Sequence, residues 1–281
     1  MQTLLNTPHE IIQQNILGAA AKAKTRILNI LVLGIMAGSF IAMGAQSSSL
    51  AVHNISNVGL ARTLAGCIFP VGLMMIVFVG GELFTGDCMM SMAWMQRKIH
   101  FADMLRTLVL VYVSNFVGAA LIAFLVAHSG QYDYSSGVLG AYTIKVAYGK
   151  VHLSFANALV SGILCNILVC VAVLMAAAAK DIAGKVLAIF FPILAFVVSG
   201  FEHCVANMYY IPAGIFASKN AAYATKALEL YNIDSTQLSS LNWGSFAISN
   251  LIPVTIGNII GGALLVGGAC FYLHGKALHE S

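Results

Sequence analysis

Two residues capable of proton chemistry, Glu202 and His203, stand side by side in Val197-Val-Ser-Gly-Phe-Glu-His-Cys-Val-Ala-Asn-Met208, an otherwise apolar run. A second polar interruption, Gly80-Gly-Glu-Leu-Phe-Thr-Gly-Asp87, supplies Glu82 and Thr85. Histidine, with an ordinary pKa of about 6.5, exchanges protons close to neutrality. An ionisable side chain at bilayer depth is costly and marks a functional site by default. Glu202, His203 and Thr85 could also be arranged as an orienter, base and nucleophile. Cys88-Met-Met-Ser-Met92, with Cys204 and His203, offers soft ligands of the kind that select Cu(I).

The composition decides where these residues lie. Of 281 residues, 59% are apolar and only 9% are charged, against about 25% charged in a soluble domain. Several apolar runs reach the roughly 20 residues that a helix needs to cross hydrocarbon, and they lack the alternation of a β-barrel. The expected fold is therefore an all-α, multi-pass membrane protein. Six transmembrane helices are expected: 27–52, 60–95 broken near 82–87, 101–128, 153–179, 186–217 broken near 201–204, and 246–273. They are flanked by an N-terminal surface helix within 1–26, with Ile11, Ile12, Ile16 and Leu17 on its apolar side, an external loop at 129–152 and a tail at 274–281. No cleaved signal is expected at the N-terminus.

The cysteines, Cys67, Cys88, Cys165, Cys170, Cys204 and Cys270, have no paired metal-ligand spacing and read as small packing residues; no metal and no cofactor is expected. Of the 14 basic residues, nine fall on the side of the termini (Lys22, Lys24, Arg26, Arg97, Lys98, Arg106, Lys180, Lys185 and Lys276) and five on the other (Arg62, Lys145, Lys150, Lys219 and Lys226). This bias predicts cytoplasmic termini and a plasma-membrane location. Basic residues scattered between spans, rather than gathered in a stripe, argue against nucleic acid.

The order whole, broken, whole occurs twice, and Asn115-Phe-Val-Gly-Ala-Ala-Leu121 echoes Asn258-Ile-Ile-Gly-Gly-Ala-Leu264. Three spans per half predict two inverted repeats, in which matched interruptions point to the substrate path. A helix breaks at membrane depth only where protein or a watered cavity satisfies the freed backbone groups.

Gly81-Glu-Leu-Phe-Thr-Gly86, Ser199-Gly-Phe-Glu-His-Cys-Val-Ala-Asn-Met208 and Asn250-Leu-Ile-Pro-Val-Thr-Ile-Gly-Asn-Ile-Ile-Gly-Gly262 resemble the formate/nitrite transporter family, closest in wording to its formate branch. The resemblance spans essentially the whole chain. It implies an aquaporin-like homopentamer, not an enzyme, in which each protomer has a pore for formate, nitrite or hydrosulfide moving with protons. It also implies that Thr85 faces His203 and that Leu83 and Phe84 belong to the interrupting loop. Leu73, Leu83 and Phe69 would constrict the path toward one mouth; Phe196, Val169 and Asn166 would constrict it toward the other. Lys150 would attract anions in a vestibule and Asn258 would lie near the central site, while Glu202 belongs to the pathway but points away from the pore.

A bare anion in an apolar constriction costs several kcal/mol to desolvate, and the conjugate acids of these three anions are neutral. The expected mechanism therefore has Lys150 concentrate the anion, Thr85 and Asn258 orient it, and His203 donate a hydrogen bond or a proton. A copper path would need Met or Cys ligands along both breaks, and the second supplies only Cys204 and Met208. An intramembrane enzyme would need a scissile substrate for which nothing here argues, and a water pore of aquaporin type would carry Asn-Pro-Ala pairs that this chain lacks.

Overall fold

In the computed structural model, residues 5–275 are described, so most of the tail expected at 274–281, with Lys276, lies outside them. Six helices are long and apolar enough to cross a membrane: Ile27–Val52, Val58–Val79, Phe101–Ala127, Phe155–Ala178, Ile182–Ser199 and Trp243–Gly275, here called spans 1 to 6. Local chemistry starts several of them. Asn57, Ser154 and Asp181 cap spans 2, 4 and 5 by accepting from the backbone N–H of Leu60, Asn157 and Gly184, which satisfies donors that the first helical turn leaves free. Span 2 is jointed at Pro70, which caps Val71–Val79. Span 6 is widened by π-helical turns at Phe246–Leu251 and Ile260–Val266.

Glycine sets how closely the spans cross. Span 1 lies on span 3, and span 4 on span 6. A Cβ on Gly38 would overlap the Asn115 backbone carbonyl, and one on Gly118 that of Ile35. The other pair repeats the arrangement, with Gly257 against the Leu159 carbonyl and Gly261 against that of Ile163. Small residues permit such backbone approach where lipid removes the hydrophobic drive for helix association. Outward-facing Val109, Val113, Val117 and Leu121 keep span 3 apolar where it meets its surroundings.

The structure corrects two expectations about the connecting segments. The stretch expected as an external loop at 129–152 folds into a helix at Val138–Val151, with Leu139, Ala141, Ile144, Ala147 and Val151 buried. It packs against Cys204–Ala217, the resumed half of the fifth segment, and against the helix Ala221–Tyr231. The N-terminal helix, Pro8–Lys22, is started by a capping box in which Glu10 Oε2 accepts from the Thr7 N–H at 2.7 Å. That hydrogen bond holds the Glu10 carboxyl below its ordinary pKa. This helix buries Ile12, Ile16 and Ala19 in a cluster with Met89, Met90 and Met92, whereas Leu17 is exposed. It therefore rests on the broken part of the first half, through a face rotated from the one expected.

Gly38→Ala should lower the thermal midpoint of the purified protein by an amount corresponding to about 1–3 kcal/mol. Gly149→Ala, where nothing lies within 4 Å of the added Cβ, should leave it unchanged or raise it slightly.

Candidate functional site

The two interruptions are built alike. The chain leaves span 2 at Gly80, with φ 102°, and span 5 at Gly200, with φ 71°, a region that residues with a Cβ rarely adopt. Leu83 and His203 are extended, and helix resumes at Phe84 and Cys204. Each extended segment exposes backbone groups that one asparagine on the neighbouring whole span satisfies. Asn115 Oδ1 accepts from the Phe84 N–H at 3.0 Å, while its Nδ2 donates to the Glu82 and Gly34 carbonyls, both at 2.8 Å. Asn258 Oδ1 accepts from the Cys204 N–H at 2.9 Å, while its Nδ2 donates to the Glu202 carbonyl at 3.0 Å and the Gly162 carbonyl at 2.8 Å.

This geometry corrects the expected role of Asn258. Both ends of its amide are committed to backbone, so it holds the break and does not orient an anion. Asn166 is likewise engaged, donating to the carbonyls of Thr85 at 3.1 Å and Asn258 at 2.6 Å. It ties the first break to the backbone of span 6, at the residue whose side chain holds the second.

Between the breaks, Thr85 Oγ1 and His203 Nε2 lie 3.0 Å apart, both side chains buried. The other ring nitrogen fixes the tautomer: His203 Nδ1 accepts from the Ala206 N–H at 3.1 Å, capping the resumed helix. An acceptor nitrogen carries no proton, so the proton sits on Nε2 and points at Thr85. His203 is thus a neutral donor aimed into the gap, and adding a second proton would cost the helix its cap.

A cavity opens on each side of this pair. The far one, of about 260 Å³, is lined by Arg62, Phe69, Lys150, Phe196, His203 and Tyr210, among others. Lys150, on Val138–Val151, lies 2.7 Å from Glu202 Oε1 and over the Tyr210 ring at 5.3 Å. Glu202 Oε2 accepts from Asn207 Nδ2 at 2.7 Å and Asn250 Nδ2 at 3.3 Å. Glu202 is therefore a fixed anchor for Lys150. The near cavity, of about 590 Å³, lies beside the N-terminal helix and is lined by Lys22, Leu73, Glu82, Leu83 and Asp87, among others. There Lys22 pairs with both Glu82 and Asp87. Burial opposes the charge on Lys22, but the two carboxylates outweigh it and raise the ammonium's pKa.

The apolar residues are grouped differently from expectation. Phe69 lines the far cavity together with Phe196, and the two rings meet edge to face at 5.4 Å. Leu73 and Leu83 line the near cavity without Phe69. Phe196 also stacks on the His203 ring at 6.0 Å. Phe84 turns aside to pack on Tyr112 at 4.8 Å. Val169 is buried one helical turn before Val173, which lines the near cavity. The aromatic pair thus lines the cavity that His203 also lines, and Leu73 and Leu83 line the other.

Sequence reasoning missed Lys22, Asp87 and Asn115. Asn115 was already visible as the counterpart of Asn258 in the repeated wording, and Asp87 follows Glu82 by the interval at which Asn207 follows Glu202. Lys22 had no such signal.

Similarity to known proteins runs along nearly the whole chain. The sequence profile described as Formate/nitrite transporter matches residues 9–272. The chain belongs to the formate/nitrite transporter family. Within that family it is 38% identical over 272 residues to a Bacillus subtilis protein called uncharacterized transporter YrhG, covering 96% of this chain and 94% of the relative. It is 37% identical over 252 residues to the formate channel FocA of Haemophilus influenzae, covering 89% and 88%. Among solved structures, a pentameric formate channel with formate bound superposes with a TM-score of 0.78 at 31% identity, over 89% of this chain and 98% of that one. As a member of this family, the protein is a multi-pass membrane transporter and not an enzyme.

Asn115→Ala and Asn258→Ala each remove the side-chain partner of one N–H and one C=O in a break, along with a further bond to a helical carbonyl. Each substitution should lower stability in detergent by about 2 kcal/mol or more, read as a fall in thermal midpoint, and the double variant should fail to assemble.

Proposed function

We propose that the protein conducts the monovalent anion of a small weak acid, formate foremost, together with a proton. The pore runs through each protomer of a homopentamer in the plasma membrane, with both termini in the cytoplasm. The single observation that carries this reading is the Thr85–His203 pair, two neutral donors 3.0 Å apart, with His203 lining the cavity that the aromatic pair also lines. The formate channels among the relatives and the pentameric formate-bound neighbour support the substrate and the assembly. Nitrite and hydrosulfide are the alternative anions, because each has a neutral conjugate acid of similar size.

Lys150 at the far cavity draws the anion in, since a charge near a low-dielectric wall raises the local concentration of its counter-ion. Stripping water from that anion costs several kcal/mol, which two neutral hydrogen bonds do not recover. A proton taken up with the anion removes most of the cost. His203 Nε2–H and the Thr85 hydroxyl then hold the acid's oxygens in the dry gap. With Nδ1 capping the resumed helix, His203 works as a hydrogen-bond donor in its resting state. Any proton it accepts requires the Ala206 N–H to let go.

Flux into proteoliposomes tests this directly. His203→Ala should cut formate uptake by about tenfold or more and flatten its pH dependence; an unchanged rate and pH profile would remove His203 from the mechanism. A competition series with formate, nitrite, hydrosulfide, acetate and chloride assigns the preferred anion. Chloride, the anion of a strong acid, should fail to compete.

Because Lys150→Gln alone would strand a buried carboxylate, the paired variant Lys150→Gln/Glu202→Gln is the informative one. It should raise the half-saturating formate concentration about threefold to tenfold while leaving the maximal rate nearly unchanged.

A further inference from the structure

The charged clusters of the two vestibules differ in their number of carboxylates. In the far one, Lys150 faces a single carboxylate, Glu202, whose second oxygen accepts from the amide of Asn207 at 2.7 Å. In the near one, Lys22 answers to Lys150 and Glu82 to Glu202, but the place of Asn207 is taken by Asp87. Asp87 and Glu82 share the one ammonium of Lys22 and line the same cavity. An ionised carboxylate has only acceptors, so the second acid cannot serve the first as Asn207 serves Glu202 unless one of the two is protonated. With both ionised, the near cluster would carry a net charge of −1, because one ammonium faces two carboxylates, whereas the Lys150–Glu202 pair is neutral.

Among the described residues that line this cavity, Lys22 is the one basic group. Asp87 is 5% exposed and lines the near cavity, and its Oδ2 has no partner among the described residues. The N-terminal helix brings Lys22 and the neutral Gln14 and Asn15, and span 1 brings Leu33. The thiols of Cys88, next in the chain, and Cys170, on span 4, are spent as donors on the carbonyls of Phe84 and Thr85. Two carboxylates sharing one site cannot both ionise freely, so one is held protonated to a higher pH than usual.

We propose that Glu82 and Asp87 together bind one exchangeable proton, forming a proton-loading site at the near mouth that the transported acid uses. This rests on the weak-acid reading above. A neutral acid emerging past Leu73 and Leu83 gives its proton to the carboxylate pair: the acid's O–H bond breaks, an O–H bond forms between Glu82 and Asp87, and the anion leaves into the vestibule. The site then returns the proton to cavity water. In the opposite direction an anion reaches the constriction by taking the proton from the pair. With the pair empty, its net negative charge turns the bare anion away, which ties anion passage to proton passage at this mouth.

Asp87→Asn is the decisive substitution, because Asn207 already occupies the corresponding position as an amide. In pH-difference infrared spectra of the purified wild-type protein, a buried carboxylic acid C=O band sensitive to ²H₂O should appear as pH is lowered from about 8 to about 5, and it should vanish in Asp87→Asn. In proteoliposomes, the steep dependence of formate flux on pH at the near mouth should flatten by about one proton per anion in the variant. A variant spectrum that keeps the band, or a flux profile that superposes on the wild type, would overturn the proposal. The infrared result needs no transport: an Asp87-dependent band in a protein that moves no formate would sustain the proton site while sinking the transport reading. Flux without such a band would do the reverse.

Discussion

Everything in this protein depends on keeping two helices broken in a place where broken backbone is not tolerated. In hydrocarbon each unpaired N–H or C=O costs several kcal/mol, and the chain meets that cost with one asparagine per break. Asn115 and Asn258 each satisfy one amide and two carbonyls. The close crossings of spans 1 and 3 and of spans 4 and 6 follow from this, because the asparagine must reach across to a glycine carbonyl on its partner. Gly34 and Gly162 supply those carbonyls, and the glycines beside them remove the bulk that would hold the spans apart.

Once the breaks are held, the central chemistry is a matter of direction. Thr85 begins the resumed first half, and His203 caps the resumed second half, so two elements from opposite halves bring their polar tips together. The histidine is a neutral donor because its other nitrogen is spent on the helix it starts. Fixed charge is kept away from this point and placed at the two vestibules, where Lys150 and Lys22 are each restrained by carboxylates. A path for a weak acid needs that division: charge where the anion is gathered, and neutral donors where it is dry.

Much of this was legible in the sequence, for physical reasons that also explain what was not. The six apolar spans and the two interruptions declare themselves because bilayer thickness and backbone satisfaction leave a one-dimensional trace. Thr85 and His203 stand in those interruptions. The helix Val138–Val151 was hidden by the glycines and tyrosines around it, and its buried face is set by the neighbouring Cys204–Ala217 rather than by its own pattern. Lys22 could not be found because an ion pair between a terminal helix and residues some 60 positions later has no local signature. The grouping of Phe69 with Phe196 depends on how span 2 is rotated about its own axis, which apolar runs do not encode.

The edge-to-face contact of Phe69 and Phe196 has a consequence for what passes. On the path proposed above, a solute would pass this ring pair by leaving its water behind and dissolving briefly between two hydrocarbon faces. The pair would then act as an oil film one side chain thick, stretched across an aqueous path. Solutes are then ranked by oil–water partition as well as by diameter, and a hydrated metal ion fails at this film even though its bare radius would fit. The same film confines the transmembrane voltage to a thin layer of protein, so an ion that sheds its charge before reaching it crosses without doing electrical work.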